Sequence, residues 1–346
     1  MINKIRKSIL AYVLAMAVIA AGAANAVTLI NGAGATFPYP LYLKWFSEYA
    51  KVDPSVEFKY QSIGSGEGIK QITSQTVDFG ASDKPLSDAE LQDAAASGGK
   101  LLHIPTVMGA VVVTYHLPGI TRGLKLNPEA VADIYLGKIT KWNEKRIADE
   151  NPGIKLPDKP IHVVHRADGS GTTSIFTNYL CSVSPEWTKM VGTGVLVNWP
   201  VGFAGKGNDG VATQILITKY SIGYVELAYA LKNKLPFASI KNRSGYFVAP
   251  TIKSTCEAAA GAAKNMPADY RITLVNQPGK DTYPIVGFTY LLVYNHQKDA
   301  VKGKKLVEFL RWGLKEGQKI APELLYAPLP ANVAAMVEET IKTIKY

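Results

Sequence analysis

The segment Ile161-His162-Val163-Val164-His165-Arg166-Ala167-Asp168-Gly169-Ser170-Gly171-Thr172-Thr173 passes from strand to turn to helix in a few residues. Ile161 to His165 has the apolar character of a strand, Asp168 to Gly171 is a glycine-rich turn, and Thr172 to Leu180 carries a helical pattern. The same order occurs twice nearer the N-terminus. Thr28 to Ile30 leads into Gly32-Ala33-Gly34-Ala35-Thr36-Phe37-Pro38 and a helical stretch from Leu41 to Phe46. Val56 to Tyr60 leads into Gly64-Ser65-Gly66-Glu67-Gly68 and a helix opened by Ile69 to Ile72. Val111 to Tyr115 and Gly287 to Tyr294 read as further strands, and Val301 to Leu314 as an amphipathic helix. Strands alternating with helices predict an α/β fold with largely parallel sheets.

Each of the three corners combines glycine, which lets the backbone approach a ligand closely, with the unpaired N–H groups of a helix's first turn. Helix dipole and hydroxyl donors add to this, so a corner of this kind suits an anion. Ser, Thr and Gly before a helix are also ordinary capping residues, and each corner alone is better explained that way. Three in one chain favour a shared use if folding brings them together. Arg166 stands four residues before Ser170, within reach of anything bound there, and its guanidinium suits a tetrahedral oxyanion; a plain pairing with Asp168 is the other reading. Asp83, in Val77-Asp78-Phe79-Gly80-Ala81-Ser82-Asp83, would oppose an anion unless the anion carries its own proton. It would then accept that proton's hydrogen bond and repel an anion with none to give.

The 346 residues carry 38 Lys and Arg against 28 Asp and Glu, with 47% hydrophobic residues, a globular balance that excludes disordered and collagen-like classes. The length suits about two domains. With no low-complexity linker, their crossings are structured, and Pro105 and Pro284 mark candidate positions. Lys4, Arg6 and Lys7, the apolar run Ile9 to Ala21 and Ala24-Asn25-Ala26 read as an export leader cut after Ala26. Export permits a bridge between Cys181 and Cys256; a disulfide and two free thiols both stay open. Two cysteines are too few for a Cys-based zinc site, and His162 and His165 point to opposite faces of a strand, so no metal or cofactor is expected. The basic residues form no clustered stripe, which argues against nucleic acid as a partner. Tyr42, Trp45, Phe46 and Tyr49 recur at helical spacing and read as core.

The three motifs around Thr36, Asp83 and Arg166, together with Asp133-Ile134-Tyr135-Leu136-Gly137-Lys138-Ile139, Gly205-Lys206-Gly207-Asn208-Asp209-Gly210 and Ile222-Gly223-Tyr224-Val225-Glu226, resemble those of the periplasmic phosphate-binding protein of the high-affinity phosphate ABC importer. The resemblance runs in order through the chain after the leader. It implies a type II two-lobe periplasmic binding fold, with residues 27–104 and 284–346 in one lobe, 105–283 in the other, and the ligand between them. It implies a non-catalytic receptor that captures inorganic phosphate in the periplasm and delivers it to an inner-membrane ABC permease; capture by hinge closure needs no partner chain, so a monomer is expected. On the family pattern, Ala35, Thr36 and Phe37 match the first loop, Ser65 the second, and Asp83 the acceptor of the phosphate proton. Arg166 matches the cationic ligand, Asp168 its supporting partner, and Ser170, Gly171 and Thr172 the donors of the other lobe. Glu67 departs from the commonest form of the second loop. Two other readings stand beside this one: a secreted phosphomonoesterase using Ser170, and a receptor for another tetrahedral oxyanion such as sulfate or molybdate. Ser170 lacks an evident base or metal cluster to activate it.

Overall fold

The computed structural model describes residues 27–346; the leader at residues 1–26 and the cut after Ala26 lie outside the described residues. Eleven strands are present among them: β1 (Thr28–Gly34), β2 (Val56–Ser62), β3 (Phe79–Ser82), β4 (Leu101–His116), β5 (Lys125–Leu126), β6 (His162–Arg166), β7 (Phe203–Gly205), β8 (Ser221–Glu226), β9 (Ser239–Lys241), β10 (Phe247–Val248) and β11 (Val286–Tyr294). Eight form one curled sheet in the order β2-β1-β3-β11-β4-β8-β6-β7, and β10-β9-β5 form a small second one.

The sheet is parallel only toward its two ends. β1 pairs parallel with β2 and β3, and β6 pairs parallel with β7 and β8. The centre, β3-β11-β4-β8, is antiparallel throughout, which corrects the expectation of largely parallel sheets. The correction traces to two long apolar strands. All nine residues of β11 are buried, as are all of β4 but the last, so both read as continuous hydrophobic runs and neither reveals its direction in sequence.

β4 is also the crossing between the two halves of the molecule. Leu101 to Ala110 pair with β11, and Val111 to His116 pair with β8. Pro105 lies inside this strand, opposite Tyr290, where the register shifts. Proline offers no ladder N–H, so a bulge there is its natural accommodation.

Helices cover the faces. Helix Tyr39–Val52 buries Leu41, Tyr42, Trp45 and Tyr49. Its aromatic side packs on Phe58, Phe79 and on Phe309 of helix Ala300–Trp312, with ring centroids 4.4 Å apart for Phe58–Phe309 and 5.3 Å for Tyr49–Phe309. The aromatic spacing in this helix is therefore core. β1 runs on through Gly32-Ala33-Gly34 rather than ending near Ile30. The glycines are required there by packing: a Cβ on Gly32 would lie 2.0 Å from the Phe79 ring, and one on Gly34, whose φ is +143°, would lie 2.0 Å from Ala81 O. Among the described residues no helix is long and apolar enough to cross a membrane. Cys181 and Cys256 are both free thiols, each only partly buried.

β1, β2 and β6 each end at a glycine-rich corner before a helix, so all three corners lie at the carboxyl ends of parallel strands. In open α/β sheets that edge is where ligands are held. Phe309 touches rings from helix Tyr39–Val52 and from β2, and Phe309→Ala is expected to cost about 3–5 kcal/mol of stability in urea unfolding. A loss below about 1 kcal/mol would show that this aromatic cluster is not a principal part of the core.

Candidate functional site

The corner after β6 is built around a buried ion pair. Arg166 is the last residue of β6 and is 2% exposed. Its Nε donates to Asp168 Oδ1 at 2.8 Å and its Nη2 to Asp168 Oδ2 at 2.5 Å, a bidentate pair. Nη1 donates to Thr172 Oγ1 at 3.4 Å. Burial works against the Asp168 charge, but the Arg166 bonds and charge outweigh it and hold the carboxyl below its usual range. Asp168 also accepts the Gly207 N–H at 2.9 Å. Three of the five guanidinium donors are thus committed, which leaves two for a guest. The two readings of Arg166, clamp or partner of Asp168, are compatible.

Helix Gly171–Val183 starts at this corner. The Ser170 hydroxyl accepts the Thr173 N–H at 3.0 Å, while the N–H groups of Gly171 and Thr172 have no acceptor among the described residues. The corner after β1 is similar: the N–H groups of Thr36 and Phe37 have no acceptor there either, nor has that of Ser65 after β2. Ala35 is placed differently from the other predicted residues. Its N–H is donated to Ala81 O and its carbonyl accepts the Tyr60 hydroxyl, so it shapes the loop and offers no donor.

The three corners meet. Gly66 N–H donates to Gly169 O at 2.9 Å, joining the second corner to the third. Gly171 lies against Ser65 and Asp83 so closely that a Cβ there would stand 2.4 Å from Ser65 Oγ and 2.5 Å from Asp83 Oδ2. The Asn208 side chain donates to Thr36 Oγ1 at 2.7 Å and to Thr172 Oγ1 at 3.1 Å, joining the first corner to the third. Thr36, Phe37, Ser65, Asp83, Arg166, Ser170, Gly171 and Thr172 are all buried in this one cluster. Glu67, in contrast, faces outward enough to approach Lys70 at 3.8 Å.

Asp83 follows β3 and is 4% exposed. Its Oδ1 accepts the Thr289 hydroxyl at 2.8 Å and its own N–H donates to Ser65 Oγ at 3.2 Å. Burial raises its pKa to about 7, against the opposing pull of Thr289, Arg166 and Ser65. With Oδ1 held by Thr289, Oδ2 is the oxygen on the side of Ser65 and Gly171.

Two side chains central to this geometry were not singled out from the sequence. Asn208 follows Gly207 at the start of helix Gly207–Ile217, just after β7. It belongs to a fourth strand–glycine–helix corner, visible in Gly205-Lys206-Gly207-Asn208 although β7 is too short to read as a strand. Thr289 is the one hydroxyl between Phe288 and Tyr290 in the apolar run of β11, a polar residue with no surface to face. No histidine or carboxylate hydrogen-bonds to Ser170 Oγ among the described residues, and no group of three or more His, Cys, Asp or Glu side chains there is placed to hold a metal ion.

A sheet whose central strand serves both halves, with donor-lined corners facing one another across it, defines a two-lobe periplasmic-type binding protein. Residues 20–315 match the family model described as a PBP superfamily domain. The chain is 47% identical to the phosphate-binding protein PstS of Pasteurella multocida (strain Pm70), over 91% of this chain and 90% of that protein. It is 43% identical to the phosphate-binding protein PstS of Haemophilus influenzae, over 96% and 97%. Among solved structures, the phosphate-binding protein from Stenotrophomonas maltophilia matches with a TM-score of 0.70 over 90% of this chain and 93% of that one, at 21% identity, a likeness of fold. The chain belongs to the PBP superfamily and, within it, to the family of the PstS phosphate-binding proteins. These relatives are named as binding proteins and not as enzymes.

A carboxyl whose pKa is higher folded than unfolded holds more protons in the folded state, so its contribution weakens as pH rises from about 3.8 to about 7. Asp83→Asn is expected to flatten that loss. In anion-free buffer, urea unfolding should show the variant gaining more than about 1 kcal/mol on the unmodified chain between pH 5 and pH 8. An unchanged difference would mean that Asp83 keeps an ordinary carboxylate pKa.

Proposed function

We propose that the chain is a periplasmic receptor that binds one inorganic phosphate between its lobes and delivers it to the inner-membrane permease of an ABC importer. The observation that carries this reading is the meeting of unclaimed donors from three corners with one proton-seeking carboxylate, Asp83, in a buried cluster. The names of the relatives support the choice of phosphate, and the ABC permease as partner rests on the family resemblance. In this reading the leader at residues 1–26 directs export with a cut after Ala26, the mature chain acts as a monomer, and it needs no cofactor.

The lobes divide as residues 27–104 with 284–346, and 105–283. The crossings then fall on β4 and on the approach to β11, and the corners after β1 and β2 face the corner after β6 across the cleft. The closed arrangement buries every binding group, so phosphate enters only when the lobes part. Thr36 and Phe37 donate backbone N–H groups, Thr36, Ser65, Ser170 and Thr172 donate hydroxyls, and Gly171 and Thr172 add the first turn of their helix. Arg166, oriented by Asp168, supplies the one cationic group.

Burying an anion without partners is prohibitive, and isolated-ion desolvation runs to tens of kcal/mol in a dry medium. About ten charge-assisted donors at roughly 1.5–3 kcal/mol each offset that cost and leave a surplus near −8 kcal/mol, in the micromolar range. Asp83 adds selection. Phosphate at neutral pH presents a P–OH that Asp83 accepts, whereas sulfate has no proton to give and meets a carboxylate oxygen to oxygen.

Titration calorimetry at pH 8 is expected to give one phosphate per chain, with an equal concentration of sulfate barely altering the isotherm. Sulfate should compete better as pH falls below about 7, where Asp83 carries its own proton. Comparable phosphate and sulfate affinity at pH 8 would contradict the role given to Asp83. Arg166→Ala removes one member of a buried charge pair, and is expected to weaken phosphate binding by at least about 30-fold. Unchanged affinity would show that Arg166 does not reach the anion.

A further inference from the structure

We propose that Asn208 is a positioning residue that makes the hydroxyls of Thr36 and Thr172 obligate donors, and so fixes which way round a partly protonated phosphate sits. The assignment rests on the receptor reading given above.

Asn208 is fully buried, and every polar atom of its amide is engaged. Oδ1 accepts the backbone N–H of Glu226 at 2.9 Å. That partner can only donate, so it sets which end of the amide is oxygen and turns the NH₂ toward the cleft. The two N–H bonds of Nδ2 are then divided between Thr36 Oγ1 at 2.7 Å and Thr172 Oγ1 at 3.1 Å.

Each threonine oxygen receives a second bond. The backbone N–H of Asn208 donates to Thr36 Oγ1 at 3.2 Å, and Arg166 Nη1 donates to Thr172 Oγ1 at 3.4 Å. A hydroxyl has two lone pairs and one proton. Both lone pairs of both oxygens are filled, so each hydroxyl retains only its proton, and neither proton has an acceptor among the described residues. A buried O–H without an acceptor is costly, so these two call for a ligand oxygen that accepts.

The consequence is directional. A P–OH turned toward Thr36 and Thr172 would set donor against donor. The protonated oxygen is therefore driven to Asp83, the acceptor beside the Ser65 and Gly171 corner, and the bare oxygens take the Thr36 and Thr172 side. Asn208 does not touch the anion in this scheme. Because Thr36 belongs to the corner after β1 and Thr172 to the corner after β6, the same amide also ties the two lobes together once they close.

The test is a thermodynamic cycle on the full mature chain, read by phosphate calorimetry. Asn208→Ala frees a lone pair on each threonine and is expected to weaken phosphate binding about tenfold. Asn208→Asp replaces both donors by acceptors that would capture the threonine protons, with an expected loss of at least about 100-fold. In a Thr36→Val, Thr172→Val background, where no hydroxyl remains to be oriented, adding Asn208→Ala should change affinity by less than about threefold. A purely structural role would produce the same loss in both backgrounds. If Asn208→Ala lowers the unfolding midpoint of the unliganded chain, the cycle is run with Asn208→Ser, with the same expectation. Asn208 variants that bind within twofold of the unmodified chain, or a loss undiminished in the double-valine background, overturn the assignment and leave the receptor reading standing. Failure of the unmodified chain to bind phosphate overturns both.

Discussion

A small oxyanion gives up its water only to donors that are already aimed and have nothing else to bind. The rest of the site depends on that requirement. The structure answers with backbone N–H groups of Thr36, Phe37, Ser65, Gly171 and Thr172 that strand and helix geometry leaves unclaimed, because each lies just before or within the first turn of a helix. Positive charge is kept to a minimum. Arg166 is matched by Asp168, and Asp83 lies nearby with its pKa raised by burial, so the site attracts by dipoles and hydroxyls more than by net charge.

The sheet supplies the means of bringing these donors together. Parallel strands place their carboxyl ends, and so their corners, on one edge. Two parallel groups joined through antiparallel β11 and β4 put two such edges face to face. β4 exchanges β11 for β8 between Ala110 and Val111, so one continuous strand carries both groups of corners. The carboxyl of Glu226, at the end of β8 and opposite Val111, is buried there, and burial pushes its pKa well above the ordinary value. It accepts the Ala228 N–H, and the Tyr326 hydroxyl, which donates to Phe37 O at 2.7 Å, lies 3.1 Å from its Oε2 and links this crossing to the first corner.

Much of this was legible in the residues because it is local. A glycine-rich corner with Ser or Thr before a helix announces itself within one short segment, and all three such corners form as read, around Thr36, Ser65 and Ser170. Arg166 and Asp168 are two apart, and their pairing follows from spacing. What local pattern did not show is long-range or hidden by uniform burial. β4 and β11 are apolar on both faces, so neither their direction nor the length of β4 could be read, and Pro105, read as marking a crossing, lies at a bulge inside the crossing strand. Asn208 and Thr289 matter through partners 172 and 206 residues away, Thr36 and Asp83 respectively. Ala35 shares a motif with Thr36 and Phe37, yet the β1–β3 ladder and Tyr60 claim its polar groups, which only tertiary pairing reveals.

The most direct measurement is a crystal structure of the mature chain grown with phosphate. The account predicts a single anion enclosed between the lobes, within hydrogen-bonding distance of Thr36, Ser65, Asp83, Arg166, Ser170 and Gly171, with one of its oxygens bonded to the Asp83 carboxylate. An anion bound elsewhere, or those six residues distributed around separate cavities, would contradict it.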